Sequence, residues 1–83
     1  MAFTLRYAPQ ARKDLQRLDP EVLRRILLAL DKLRENPHRG GILRDRKVGR
    51  RKFRVGDYRI RYDILGEFVD IYRVRHRREV YED

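Results

Sequence analysis

The sequence predicts an α+β fold in which an N-terminal strand is followed by an antiparallel helical hairpin. A three-strand antiparallel meander then completes a four-stranded sheet. Three observations predict this order: alternating polarity in residues 3–7, a helical period in residues 20–35, and a glycine turn inside the alternating stretch 52–64. The 83 residues suffice for one modest core, so we expect residues 1–83 to form a single domain.

The first strand and the first helix follow from two short stretches. In "FTLRYAP" every second residue is apolar and a proline ends the run, which predicts a strand. The apolar residues of "PQARKDLQRL" then recur at helical spacing and predict a short amphipathic helix.

The second helix has the clearest pattern in the chain. Asp19 is a suitable N-cap, Pro20 fits the first helical position, and the pair Asn36-Pro37 ends the helix. Beside its apolar stripe, three further leucines widen the buried face, so we expect more than half of its circumference to be buried. These leucines are Leu23, Leu27 and Leu28.

Residues 38–50 lack clear periodicity and contain three glycines, which predicts a loop. Ile42 and Leu43 are expected to anchor this loop to the core. Two strands follow the loop, and a third strand is expected in "FVDIYRV".

Charge narrows the class of partner. The net charge is +9 and 42% of the residues are charged, so nucleic acid is the leading partner class. A protein that is merely basic, or one with an acidic protein partner, remains an alternative. The chain has no cysteine, which excludes a disulfide or a thiol nucleophile, and it has no apolar stretch long enough to cross a membrane. We expect a cytoplasmic protein that needs no metal or cofactor and does not contact a membrane.

The stretch "KFRVGDYRIRYDI" predicts a hairpin with a cationic face. A two-residue turn at Gly56-Asp57 pairs Val55 with Tyr58 and fixes the register of both strands. Four cationic side chains then share one face, opposite Phe53 and Ile60: Lys52, Arg54, Arg59 and Arg61. Like charges directly opposite one another are destabilising, so the pattern favours an anion site over a merely solvated face, which stays the alternative.

The third strand of the meander is expected to pair through a turn centred on Leu65-Gly66. This register places Ile71 opposite Ile60 and Asp70 opposite Arg61, and it sets Tyr72 beside Arg59, where a ring and a cation could hold an unstacked base and its phosphate. The apolar alternation slips before Val74, which indicates a bulge or the end of the sheet. Asp63 is expected to face solvent as a partner for nearby arginines.

These segments resemble the RelE/ParE superfamily of toxins from prokaryotic toxin–antitoxin pairs. The resemblance covers nearly the whole chain and rests on the "VGDYR" hairpin together with the terminal "HRREVY". It implies a ribosome-dependent, metal-independent endoribonuclease that cuts messenger RNA in the ribosomal A site. In this reaction the ribose 2′-hydroxyl attacks the adjacent phosphate. The implied partners are a RelB-like antitoxin and the ribosome with its mRNA and rRNA.

The resemblance also implies roles for individual residues. Arg59 is expected to clamp the scissile phosphate, and Lys52 to accept a proton or contact the phosphate. Arg77 is expected to stabilise the phosphate or protonate the leaving oxygen, and Tyr81 to orient the RNA. Arg50 stands where a second lysine is frequent in the family, and its role is expected to be electrostatic because arginine is a poor general base.

Other residues complete the predicted RNA contacts, and three functions stay open. The contacts are Arg54, Arg61, Tyr72 and His76. His76 is also a candidate general acid or base, because an imidazole can both give and take a proton. ParE-like relatives inhibit DNA gyrase without cutting RNA, which is the alternative to nuclease activity. A degenerate member that only binds RNA or an antitoxin is the third reading. The tail implies that the C-terminal helix of some relatives is absent or vestigial.

Overall fold

The computed structural model describes residues 2–44 and 46–80 and confirms the predicted α+β class. Tyr81, which was predicted to orient RNA, lies outside the described residues. The elements in chain order are β1 (Thr4–Tyr7), α1 (Pro9–Gln16), α2 (Pro20–Glu35), a 3-10 turn (Pro37–Arg39), β2 (Gly41–Ile42), β3 (Arg51–Val55), β4 (Tyr58–Leu65), β5 (Phe68–His76) and α3 (Arg77–Val80).

The sheet has five strands in the described residues, in the order β1-β5-β4-β3-β2, so the expected count of four was wrong. The added strand β2 lies within the segment predicted as a loop, and its two residues pair with Arg51 and Lys52. A two-residue strand is too short to show alternating polarity, which explains why the sequence did not indicate it. β1 lies at the opposite edge and runs parallel to β5.

Helix α2 has the predicted bounds but a narrower buried face. It begins at Pro20 and ends at Glu35, with Asp19 at the N-cap position, although the Asp19 side chain makes no capping hydrogen bond. The buried stripe consists of Ile26, Ala29, Leu30 and Leu33. Leu27 and Leu28 are 45% and 58% exposed, so the prediction that more than half of the circumference is buried was wrong. The sheet covers one side of the helix only.

The core forms between the helical hairpin and one face of the sheet. From α2 it contains the buried stripe, and from β4 and β5 it contains Ile60, Tyr62, Val69, Ile71 and Val74. The Tyr62 hydroxyl donates to the Pro37 carbonyl oxygen at 2.6 Å and so joins β4 to the end of the helical layer. Burial raises the pKa of Tyr62 and also that of Tyr7. We call the opposite face of the sheet the outer face.

The register of the β3–β4 hairpin is as predicted, whereas that of β4–β5 is not. The turn between β4 and β5 is Gly66-Glu67, so Tyr62 pairs with Ile71 and Asp63 with Asp70. The expected pairs Ile60–Ile71 and Arg61–Asp70 were therefore wrong. The suspected bulge is confirmed: Tyr62 pairs with Ile71 while Arg61 pairs with Arg73, which leaves Tyr72 as the extra residue of β5.

Beyond Ile71, the free edge of β5 is held by α1. β1 pairs with β5 only as far as Ile71. Past that point the buried Asp14 carboxylate accepts from the Val74 backbone N–H at 2.9 Å and from Arg73 Nε and Nη2 at 2.9 and 3.2 Å. One carboxylate thus accepts hydrogen bonds from a backbone N–H at the strand edge and from a guanidinium group. Within the described part of the chain, no helix is both long and apolar enough to span a bilayer.

Candidate active site

The outer face of the sheet carries two rows of cationic residues that cross three strands. One row runs Arg54–Arg59–Arg75 and the other Lys52–Arg61–Arg73, each read from β3 through β4 to β5. Residues that oppose each other across neighbouring strands point to the same face. The predicted face of four cations is confirmed, and β5 adds Arg73 and Arg75, which were not predicted because the expected β4–β5 register was wrong. The slip in alternation before Val74 was the signal that could have revealed them.

The two arginines of the second row, Arg61 and Arg73, bind other groups of the protein. Arg61 is only 7% exposed, and its Nε and Nη2 donate to the carbonyl oxygens of Gly49 and Val48 at 3.1 and 2.8 Å. Arg73 forms an ion pair with Asp14 of α1. Lys52 is half-buried at the other end of this row, with Gly41 of β2 against its side chain. Arg61 was predicted to contact RNA, and here it binds backbone instead.

The first row leads into a small pocket that unites two predicted catalytic residues. Arg54, Arg59 and Arg77 line this pocket of about 90 Å³ together with the Gly56-Asp57 turn and Tyr58. Arg77 reaches it because its backbone N–H donates to the Asp57 carbonyl oxygen at 2.7 Å, which fixes the start of α3 against the turn. We call this group of residues the arginine pocket.

The arginine pocket is suited to an anion. Guanidinium groups are planar, permanently charged donors that match phosphate oxygens. Arg54 and Arg77 are exposed and Arg59 is half-buried, so the three can meet a ligand at the surface. Lys52 lies two residues before Arg54 on the same face of β3, about 7 Å along the strand. Three of the four predicted catalytic positions therefore lie on neighbouring parts of one surface.

His76 lies next to this pocket but points to the other face. It pairs with Tyr58 across β4 and β5, and the two rings meet edge to face with centroids 5.2 Å apart. Its Nδ1 accepts from the Arg78 backbone N–H at 3.2 Å, so a neutral ring carries its proton on Nε2. A wider depression lined by Asp57, His76, Arg77 and Arg78 opens beside the ring.

Tyr72 was predicted to lie beside Arg59, and this prediction was wrong. The bulge moves it next to Arg61, whose guanidinium carbon is 5.1 Å from the ring centroid. Gly49 packs directly against the ring. Arg50 is exposed, and its backbone N–H donates to Asp63. The predicted RNA contacts are therefore split between the arginine pocket and the surface around residues 48–50.

Two acidic residues of the outer face, Asp70 and Asp63, bind neighbouring groups of the protein. Arg6 of β1 binds Asp70 through Nε and Nη2 at 2.6 and 3.0 Å, and this hydrogen bonding raises the pKa of Arg6. Asp63 was expected to pair with arginine side chains, but it accepts two backbone N–H groups instead. Across residues 2–44 and 46–80, no group of three His, Asp or Glu side chains is placed to hold a metal ion.

The chain is similar to known toxins over almost its whole length. A family model described as the ParE toxin of the type II toxin–antitoxin system parDE matches residues 5–81. Toxin RelG of Mycobacterium tuberculosis is 38% identical in an alignment of 85 positions that includes 98% of this chain and 98% of that protein.

Solved structures agree with these sequence matches. The RelBE2 toxin–antitoxin complex from M. tuberculosis matches with a TM-score of 0.82 and 35% identity, over 92% of this chain and 99% of that chain. An archaeal RelE–RelB complex from Pyrococcus horikoshii matches with a TM-score of 0.72 and 25% identity, over 93% and 97% of the two chains. The chain therefore belongs to the RelE/ParE superfamily of toxins from type II toxin–antitoxin systems.

Proposed function

We propose that this toxin is a ribosome-dependent, metal-independent endoribonuclease that cuts messenger RNA in the ribosomal A site and so inhibits translation. The observation that carries the proposal is the convergence of Arg54, Arg59 and Arg77 on one small pocket. Three guanidinium groups around such a space repel one another unless an anion lies between them, and a backbone phosphate is the anion that RNA offers.

The proposed reaction is an internal transfer at phosphorus. The ribose 2′-oxygen forms a bond to the adjacent phosphorus and the bond to the 5′-oxygen breaks, leaving a 2′,3′-cyclic phosphate and a free 5′-hydroxyl. Negative charge grows on the non-bridging oxygens in the transition state. Arg59 and Arg77 stabilise this charge, and each is expected to contribute about a hundredfold or more to the rate, as preorganised donors do elsewhere.

Two protons must move during this reaction. Lys52 takes the proton of the 2′-hydroxyl, with Arg50 and Arg54 as electrostatic support. Arg77 donates a hydrogen bond to the leaving 5′-oxygen, and that oxygen takes its proton from His76 Nε2 or from water. Tyr72 and Tyr81 are the aromatic residues proposed to stack on bases, which orients the sugar for in-line attack.

The proposed partners follow from the same surface. A RelB-like antitoxin is the regulatory partner, since the relatives in the solved structures are complexes of RelE with RelB. An acidic segment of that antitoxin is expected to cover the cationic rows. The ribosome supplies the messenger and part of the geometry, which places the activity in the cytoplasm.

A second candidate is a ParE-like inhibitor of DNA gyrase. The family model that matches residues 5–81 is described as ParE, which favours this reading. The candidate needs no cleavage chemistry, so it leaves the arginine pocket without a catalytic task.

One paired experiment separates the candidates. The purified toxin is added to a translating extract, messenger 5′ ends are mapped, and gyrase supercoiling is measured in parallel. The proposal predicts codon-phased cuts that are lost in Arg59→Ala and Arg77→Ala but kept in Arg24→Ala, which removes the same charge from the exposed side of α2. Gyrase inhibition with intact messenger would overturn it in favour of the ParE reading.

A further inference from the structure

Residues 48–50 are tied to the outer face by two side chains of β4. The Asp63 carboxylate accepts from the backbone N–H groups of Gly49 and Arg50, at 2.7 and 2.9 Å. Arg61 donates to the carbonyl oxygens of Val48 and Gly49 at 2.8 and 3.1 Å. We call these four hydrogen bonds the backbone clamp, because they fix peptide groups and leave the Arg50 side chain exposed.

Gly49 is required for the clamp to close. Its φ of 62° lies in the left-handed region, and it is buried against the ring of Tyr72. A Cβ atom at this position would lie 2.6 Å from Tyr72 Cδ2, which is closer than real contacts allow. The segment can therefore lie flat on the sheet only with glycine here.

Asp63 is an acidic residue on a surface that is mostly cationic. It shares the outer face of β4 with Arg59 and Arg61, where a carboxylate weakens the attraction for a polyanion. Its two hydrogen bonds from the backbone N–H groups of Gly49 and Arg50 indicate a structural role for this carboxylate.

We propose that Asp63 is a positioning residue that holds Arg50 in place for RNA, acting together with Arg61 through the backbone clamp. The inference rests on the proposed nuclease function and adds residues that contact no substrate. It reassigns Arg61 from an RNA contact to a support for the segment that makes one.

The substitution Asp63→Asn removes one negative charge. A role as a surface charge and a role in the backbone clamp predict opposite changes in KM for this variant. If Asp63 were only a surface charge, Asp63→Asn would remove repulsion and lower KM for ribosomes programmed with a messenger. The clamp predicts that Asp63→Asn raises KM about two- to fivefold, the worth of one exposed phosphate contact, with kcat changed less. The slope of log KM against log salt concentration should fall by about 0.7, which is the contribution of one phosphate contact to a single strand.

Two matched controls separate the clamp from charge and from backbone strain. Asp70→Asn removes the same charge from the residue directly opposite Asp63 and should not raise KM. Gly49→Ala changes no charge and should raise KM as Asp63→Asn does. Gly66→Ala introduces the same strain at a φ of 59°, with no atom near the added Cβ, and should leave KM unchanged.

Amide hydrogen exchange distinguishes failure of the clamp from failure of the proposed function. Asp63→Asn should speed exchange at Gly49 and Arg50, with little change at Ile60 in the core. Faster exchange with an unchanged or lower KM would overturn the positioning role and leave the nuclease intact, and so would unchanged exchange. A wild-type protein that neither binds nor cuts messenger on ribosomes would overturn both.

Discussion

Arg59 and Arg77 reach the same pocket from different elements, and each is placed by a local feature. Arg59 sits on the outer face of β4 because the Gly56-Asp57 turn fixes the hairpin register. Arg77 is placed by the hydrogen bond from its own backbone N–H to the Asp57 carbonyl oxygen. The same turn therefore positions both arginines, and a change in the turn should move them together.

At the residue scale, Lys52 allows a test of proton transfer. Arginine keeps the positive charge but stays protonated, so it cannot accept the proton of the 2′-hydroxyl. We expect Lys52→Arg to lower the single-turnover cleavage rate about a hundredfold, nearly as much as Lys52→Met. Arg54→Lys, which preserves charge one row away, is the control and should lose less. A Lys52→Arg variant close to wild type would show that Lys52 contributes charge alone.

At the scale of elements, the bulge in β5 organises both faces of the sheet. Ile71 and Val74 are three residues apart, so a regular strand would point them to opposite faces. The extra residue Tyr72 lets both enter the core, and it places Arg73 and Arg75 opposite Arg61 and Arg59. The core and the cationic rows therefore depend on the same irregularity.

The edge of β5 beyond the bulge depends on Asp14. This carboxylate is nearly buried, with an exposed side-chain fraction of 5%, and it satisfies both Arg73 and the Val74 N–H. We expect Asp14→Ala to lower the free energy of unfolding by about 3 kcal/mol, because it leaves a partly buried guanidinium and a backbone donor without this acceptor.

Urea denaturation followed by circular dichroism measures this change. Asp31→Ala removes an exposed partner of Arg34 on α2 and should change stability by no more than about 0.5 kcal/mol. Equal effects of the two substitutions would contradict the account of the β5 edge.

The bond from Tyr62 to Pro37 makes stability sensitive to alkali. Burial raises the pKa of Tyr62, so the folded state holds this proton more tightly than the unfolded chain does. The contribution to stability is complete below the unfolded pKa of about 10 and is lost as the pH rises through the folded pKa. Tyr62→Phe should cost about 1–3 kcal/mol at neutral pH, because it leaves the Pro37 carbonyl without its donor.

The same variant should show a smaller fall in stability above pH 10, and Tyr7, whose pKa is also raised by burial, contributes to the loss that remains. Urea midpoints measured from pH 7 to pH 11 check this expectation. A Tyr62→Phe variant whose alkaline loss matches that of the wild type would rule out Tyr62 as a source.

The extent to which the sequence predicted strand register and burial differs from element to element. The β3–β4 register was predicted because a two-residue turn with glycine in its first position leaves one pairing. The β4–β5 turn repeats that pattern, as Gly66-Glu67 repeats Gly56-Asp57, and this repetition could have corrected the register. The burial of Arg61 was not predictable, since alternation indicates the face of a residue but not which loop covers it.

At the scale of the whole molecule, the fold separates its tasks onto two faces. The helical hairpin covers one side of the sheet, and the outer side is left for the cationic rows and the segment held by Asp63. The net charge of +9 favours encounter with any polyanion, whereas the arginine pocket selects a phosphate in one position. We therefore expect salt to weaken the affinity for RNA, and substitutions in the arginine pocket to lower the cleavage rate.

The central claim is that Arg59 and Arg77 act on the same phosphate, and a double-mutant cycle tests it most directly. Single-turnover cleavage of messenger on programmed ribosomes is measured for Arg59→Ala, Arg77→Ala and the double variant. We expect the cleavage rate to fall strongly in each single variant. The double variant should cut scarcely more slowly than the less active single variant, because either substitution already disables the pocket. Losses that multiply independently, or single variants that cut at the wild-type rate, would contradict it.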